Sequence, residues 1–158
     1  MTIARTVERF LIQHGTPYDL VAHPHAEGAA ATARATHVPG AQMAKAVVLE
    51  DVAGNYVMVV TRADQHVSLQ RVLEQLGRKL TLASEPELNA VFGDCETGAI
   101  PPLGPAYGME TYVDSTVTLE PEVYFEAGDH QEVVHMPTER FLHLLGQPVP
   151  GDFSASTD

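Results

Sequence analysis

One cysteine, Cys95, is too few for an internal disulfide, and so sparing a use of thiols points to a reducing compartment. No apolar run reaches the ~18–20 residues that a membrane-crossing helix needs. Met1–Thr6 leads directly into an amphipathic pattern without the apolar core of a secretory signal, which favours a cytoplasmic placement. The chain also has no Gly-x-Ser-x-Gly elbow, no phosphate-binding P-loop and no strand–GxGxxG–helix unit. These absences exclude several large enzyme classes. His23-Pro24-His25, Asp129-His130 and His135 are not accompanied by Cys-x-x-Cys or His-Glu-x-x-His spacing, so neither a metal nor another cofactor is expected. Cys95 lies between Asp94 and Glu96, two acids that raise a thiol's pKa and blunt it as a nucleophile.

Positive charge is scarce, and unevenly so. The net charge is −12, yet residues 1–81 hold eight of the nine Lys/Arg against seven acids, and residues 82–158 hold Arg140 against fourteen. Such asymmetry allows one face tolerant of an anion and one that repels it, or simply an acidic surface that aids solubility.

With 158 residues and 44% hydrophobic side chains, the chain has enough material for one domain with a buried core. Ile3, Val7, Phe10 and Leu11 have helical spacing, with Thr2 as N-cap and Gly15 as stop. Tyr18–His23 reads as a strand and Gly28–Ala35 as a short helix. Ala44–Glu50 and Asn55–Thr61, joined by Asp51-Val52-Ala53-Gly54, form the clearest hairpin. Ser68 caps a helix that carries Leu69, Val72, Leu73 and Leu76 inward, and Ser84-Glu85-Pro86-Glu87 is a capping box. Tyr112–Asp114, Val117–Leu119, Val123–Glu126 and Glu132–His135 read as short strands, and Pro137 opens a last helix. This pattern predicts an α+β fold in which helices flank a curved, mixed sheet. The domain spans 1–146, followed by a loose polar tail over 147–158.

Two features carry chemistry. Lys45 opens a run, Ala44–Leu49, that otherwise reads as a buried central strand, so it either snorkels outward or points its charge into a pocket. Gly98-Ala99-Ile100-Pro101-Pro102-Leu103-Gly104 is either a rigid turn or a loop whose backbone N–H groups face an anion.

Taken in order, Val38–Leu49, the Gly98–Gly104 loop and Val123–His130 resemble the YbaK/ProX family of tRNA-editing domains, over roughly residues 1–146. The resemblance implies a sheet closed toward a barrel. It also implies trans-acting, metal-independent hydrolysis of the ester on mischarged tRNA, with Ala- or Cys-tRNA for proline as examples. It assigns the central catalytic lysine to Lys45 and the active-site loop to Gly98, Pro102 and Gly104, with Gly98 and Gly104 as catalytic positions. Substrate contacts then fall to Tyr18, His23, Ala99, Ile100, Pro102, Leu103, Glu126, Asp129 and His130. Arg34, Arg71, Arg78 and Lys79 are the tRNA-phosphate candidates. The partner implied is the acceptor end of an aminoacyl-tRNA, with a synthetase as a further partner and neither membrane nor DNA. Glu126 and Asp129 depart from the family, which often has Ser near the first position and a basic residue near the second. Such an acidic pair either repels phosphate or reads the substrate's α-ammonium group. A second reading is a non-catalytic relative that binds an amino-acid-like or nucleotide ligand, or a protein.

Overall fold

The structure, a computed structural model, describes residues 3–156. Its spine is the expected hairpin, in which β2 (Met43–Glu50) pairs antiparallel with β3 (Tyr56–Arg62) from Ala44/Arg62 to Glu50/Tyr56. The reversal is held by Asp51, whose carboxylate accepts the backbone N–H groups of Ala53 and Asn55 at 2.9 Å each.

Around the hairpin lie β1 (Asp19–Ala22), β6 (Glu110–Val113), β7 (Glu122–Glu126) and β8 (Glu132–Pro137). The strand order is β1-β8-β7-β2-β3-β6, with β5 (Thr81–Leu82) adding to β2. The β2/β7 and β3/β6 pairs are parallel and the others antiparallel. The sheet is therefore mixed, as expected, but open: β1 and β6 end the order without meeting, and the closure toward a barrel does not occur. Both edge strands are four residues long, and the sheet buries its faces under helices instead.

Side chains alternate between the two faces along each central strand. Ala44, Val48, Met58, Val60, Val123 and Phe125 join the larger core cluster, with Val7 and Leu11 of α1 (Arg5–Gln13) and Phe141 of α5 (Thr138–Leu144). Leu88 and Val91 of α4 (Glu85–Val91) pack against the same cluster. On the opposite face, Leu49, Val57 and Val59 meet Val72 of α3 (Leu69–Leu76), and Met43 meets Ala33 of α2 (Ala29–Ala35). Caps read from the sequence are in place: Ser68 accepts from Arg71 N–H, and Ser84/Glu87 form the capping box.

Several expectations need correction. Val117–Leu119 belongs to a 3₁₀ turn, Ser115–Leu119, because the Asp114 carboxylate caps it through Thr116 N–H at 3.1 Å. Leu69 and Leu73 are 39% and 48% exposed; Val72 and Leu76 face the core, since their face of the helix meets the sheet. The tail is not loose in its described part. Phe153 is 2% exposed, and β9 (Ser154–Ser156) pairs with β4 (Gln65–Val67). Arg71 ties it down through the Ser154 carbonyl and Asp152. The N-cap expected at Thr2 lies outside the described residues, as do Thr157 and Asp158. Within them, Ala4 occupies the cap position without a side-chain bond, and Asp94 accepts the Thr6 N–H at 2.9 Å from a distant loop.

Candidate active site

The parallel β2/β7 pairing is short, covering Met43/Tyr124 and Ala44/Phe125. The next cover on that edge of β2 is β5, at Leu49 and Glu50. In the interval no strand covers that edge among the described residues, Ala83 N–H reaches only Val48 O at 3.1 Å, and a pocket of about 140 Å³ opens beside Ala44–Ala46. Its lining combines Ala44, Lys45 and Ala46 of β2, Glu126 of β7, Ala29 of α2, and Gly98 and Ile100 of the glycine-proline loop. Lys45 and Glu126 lie two residues beyond the Met43/Tyr124 pair on their strands, so the alternation sends both side chains to the α2 face.

Lys45 is half-buried, and among the described residues its ammonium has no hydrogen-bond partner. Burial lowers its pKa below the usual lysine value, and the charge of Asp64 partly offsets that. An ammonium with its hydrogen-bonding capacity unspent among the described residues is thus held at a pocket wall. Directly opposite on β3 is Thr61, fully buried with its hydroxyl unpartnered.

The loop divides into two ends. Gly98 has φ +84°, and neither its N–H nor that of Ile100 finds a partner among the described residues. Ala99 donates to Glu96 O at 3.0 Å and accepts from Gly128 N–H at 3.0 Å, so it anchors the loop and has no free N–H to offer. A third anchor is His130 Nε2, 2.8 Å from Thr97 O. Pro102 and Leu103 are buried, and Gly104 is packed so tightly that a Cβ there would overlap the Thr111 hydroxyl. Pro102, Leu103 and Gly104 therefore hold the loop in the core and do not line the pocket. Gly128 locks the far side: its O accepts Glu96 N–H at 2.8 Å, and a Cβ on it would come within 2.6 Å of Ala4 Cβ.

Beside the pocket, Glu126 is 7% exposed and accepts a hydrogen bond from Thr32 Oγ1. Burial raises its pKa, opposed by the Thr32 bond and by His130 and His23, while Asp129 pushes the same way as burial. His130 Nδ1 is 3.9 Å from Glu126 Oε1, and His25 stacks edge-on against His130 with centroids 5.3 Å apart. Asp129 is 1% exposed and its Oδ1 accepts the N–H groups of Gln131 and Glu132. Its first task is building the turn that aims His130, and it is too deep to face a phosphate from the surface. Among the described residues, no group of three or more His, Cys, Asp or Glu is placed to hold a metal ion.

Other candidates are placed elsewhere. Tyr18 lines a separate small cleft with Asp19, His135 and Arg140. Arg71 is spent on Asp152 and the Ser154 carbonyl, and Arg78 on Glu110 and Asp51. Arg34, exposed on α2, has no partner among the described residues; neither has exposed Lys79. At Cys95, burial first and then the charge of Asp94 push the thiol up to about 12. Ala29, Thr32, Ala46 and Thr61 were missed. Thr61 was legible in principle, because the hairpin register sets this lone hydroxyl of a buried run against Lys45.

A larger cleft of about 490 Å³ lies between Gly15–Pro17 and α5, with Arg140 and His143 on its wall. The N–H groups of Gly15, Thr16 and Gln147 in it are all bonded to backbone carbonyls. Size favours that cleft, but chemistry favours the smaller pocket, whose lining includes a half-buried cation and two residues with unspent N–H groups.

Residues 23–144 match the family described as aminoacyl-tRNA editing domain. No curated protein matches the chain's sequence. Among solved structures, a candidate trans-editing enzyme for prolyl-tRNA synthetase superposes with a TM-score of 0.82 at 22% identity, over 96% of each chain. A hypothetical protein gives 0.82 at 21% identity, over 96% of this chain and all of its own (100%). A candidate signal transduction protein from Marinobacter aquaeolei VT8 gives 0.79 at 21%, covering 99% of this chain but 32% of that one. At these identities the likeness establishes the fold.

Proposed function

Because the chain belongs to the aminoacyl-tRNA editing domain family, we propose that it is a trans-acting deacylase that hydrolyses the ester of a mischarged tRNA, with alanyl- and cysteinyl-tRNA for proline as the first substrates to try. The observation that carries this reading is that Lys45, Gly98 and Ile100 line one small pocket, with the N–H groups of both loop residues unpartnered among the described residues. Attack of water on an ester carbonyl builds negative charge on its oxygen. Two fixed N–H groups stabilise that charge without reorganising, an effect worth about 3–4 kcal/mol per donor in other acyl-transfer sites. The Lys45 ammonium either adds to that field or holds the phosphate of the terminal adenosine, and burial keeps its charge poorly screened. The attacking water is positioned beside the substrate's own ribose hydroxyl, so the chemistry runs without a bound metal.

The volume supports a small aminoacyl side chain. About 140 Å³ accommodates an alanyl- or cysteinyl-sized group, whereas a bulky one would have to displace the loop. Arg34 on α2, exposed and without a partner among the described residues, is the cation we assign to the acceptor strand's phosphates.

The decisive experiment is deacylation of a panel of purified mischarged tRNAs in the presence of chelator, comparing wild type with Lys45→Ala. Chelator-resistant hydrolysis of one species, lost in the variant, is the expected result. Inactivity across the panel would hand the pocket to the non-catalytic reading, with Glu126 and the neighbouring histidines binding an amino-acid-like ligand.

A further inference from the structure

Glu126 is the one acid in the pocket wall, and the polar groups behind it share an unusual property. His130 Nε2 lies 2.8 Å from Thr97 O, so that nitrogen carries the proton, and in the neutral ring Nδ1 is left as a lone-pair acceptor. His23 repeats the arrangement with its nitrogens exchanged: Nδ1 lies 2.7 Å from Pro24 O, leaving Nε2 as the acceptor. Asp129 spends Oδ1 on two backbone N–H groups and leaves Oδ2. His130 Nδ1, His23 Nε2 and Asp129 Oδ2 are all buried without a hydrogen-bond partner, in residues no more than 8% exposed.

These groups form one cluster. His130 Nδ1 is 3.9 Å from Glu126 Oε1, too long for a direct hydrogen bond, and His23 and Asp129 are close enough to act on the ionisation of Glu126. The cluster touches the reaction site through Gly98, since a Cβ built there would lie 3.8 Å from His130 Cε1. Among the described residues, the one side-chain donor it receives is the Thr32 hydroxyl, already given to Glu126, while Asp129 Oδ1 takes the two backbone N–H groups. With both rings neutral, these buried acceptors have no donors, which is costly unless a ligand supplies them. The complementary ligand is compact, cationic and rich in N–H groups. A primary ammonium fits that description, carrying three donors on one atom.

Resting on the deacylase reading, we infer that Glu126, with His130 and His23 behind it, is the specificity-determining element that reads the free α-ammonium of the aminoacyl ester. The site then requires an amino-acid ester and rejects the α-hydroxy-acid ester of the same shape. No bond to the ammonium forms or breaks; the cage orients the carbonyl toward the Gly98 and Ile100 N–H groups. Substitution by the hydroxyl leaves acceptors buried against a group with one proton to give and no charge.

The test compares alanyl-tRNA with lactyl-tRNA made from it by deamination, each rate divided by the ester's spontaneous hydrolysis rate. Wild type should prefer the alanyl ester by about 10–100-fold, the span of a charge-assisted hydrogen bond. Glu126→Gln, which keeps shape and removes charge, should lose most of that preference. In parallel, alaninamide and lactamide are titrated into wild type while the imidazole NMR signals of His23 and His130 are followed. Alaninamide should shift both signals and lactamide neither. Equal wild-type rates on the two esters would overturn the inference and leave the deacylase reading standing. A Glu126→Gln variant slowed equally on both would also overturn it, by assigning Glu126 to bond cleavage. So would stoichiometric zinc whose removal by chelator abolished the alaninamide shifts. Glu126-dependent binding of alaninamide by a protein that hydrolyses no charged tRNA would support the cage and refute the deacylase.

Discussion

Gly98 and Gly104 close the same seven-residue loop, and their needs for glycine are opposite. Gly98 is exposed, has φ +84° and has only His130 Cε1, at 3.8 Å, near its absent Cβ; it is needed for backbone conformation and for an N–H left free at the pocket. Gly104 has an ordinary φ and is buried, and it is needed for space, since Thr111 fills the place of a side chain. One end of the loop is shaped for a ligand and the other for the core, a distinction that two glycines in a sequence do not reveal.

The largest expected effect is at the open end, across the pocket. Lys45→Ala should cut deacylation by about 100-fold or more with the thermal midpoint nearly unchanged, as loss of a preorganised charge does elsewhere. Unaltered turnover would remove Lys45 from the site. Next comes the loop itself. Gly104→Ala should destabilise the fold by about 2–3 kcal/mol through overpacking, lowering the midpoint by roughly 5–10 °C in a domain of this size. Gly98→Ala should cost only about 1–2 kcal/mol of backbone strain yet lower kcat disproportionately. Thermal melts read beside single-turnover rates would break the contrast if both variants lost activity in step with stability.

A smaller effect is expected from pH. Burial disfavours the charged form of Lys45, so the ammonium is lost as pH rises through a value below the ordinary lysine pKa of 10.5. Enzyme-dependent hydrolysis, after subtraction of the spontaneous rate, should therefore fall on the alkaline side before that value. A plateau persisting above it would show that the charge of Lys45 is not used. Smallest is the phosphate contact. Arg34→Ala should raise the KM for tRNA a few-fold and reduce the slope of log KM against log salt by about one. Arg78→Ala should leave both unchanged, because Glu110 and Asp51 already engage that guanidinium.

Local signals were legible wherever a short stretch sets its own structure. The Asp51–Gly54 hairpin, the Ser68 cap and the Ser84/Glu87 capping box depend on neighbours within a few residues. Long-range placement was not. Val117–Leu119 has strand-forming residues, yet Asp114 turns it into a 3₁₀ segment, and the same residue's other oxygen accepts Phe153 N–H at 2.9 Å, which helps pin the tail. The polarity of that tail concealed Phe153, its one aromatic residue, whose worth depends on the space it fills.

By itself the sequence determined the α+β composition, the hairpin, most of the caps, and the membership that Val38–Leu49, Gly98–Gly104 and Val123–His130 announce together. Periodicity, turn chemistry and ordered motifs are properties of the chain, readable without coordinates. Tertiary structure alone decided that the sheet stays open, that β2 and β7 part after two residue pairs, and which groups remain unspent there. It paired Arg71 with Asp152 and Arg78 with Glu110 and Asp51, and buried Asp129 beneath its own turn. The reason is that a hydrogen bond or an ion pair needs two partners. Whether Lys45, Gly98 or Glu126 is free to meet a substrate depends on what else the fold brings within reach.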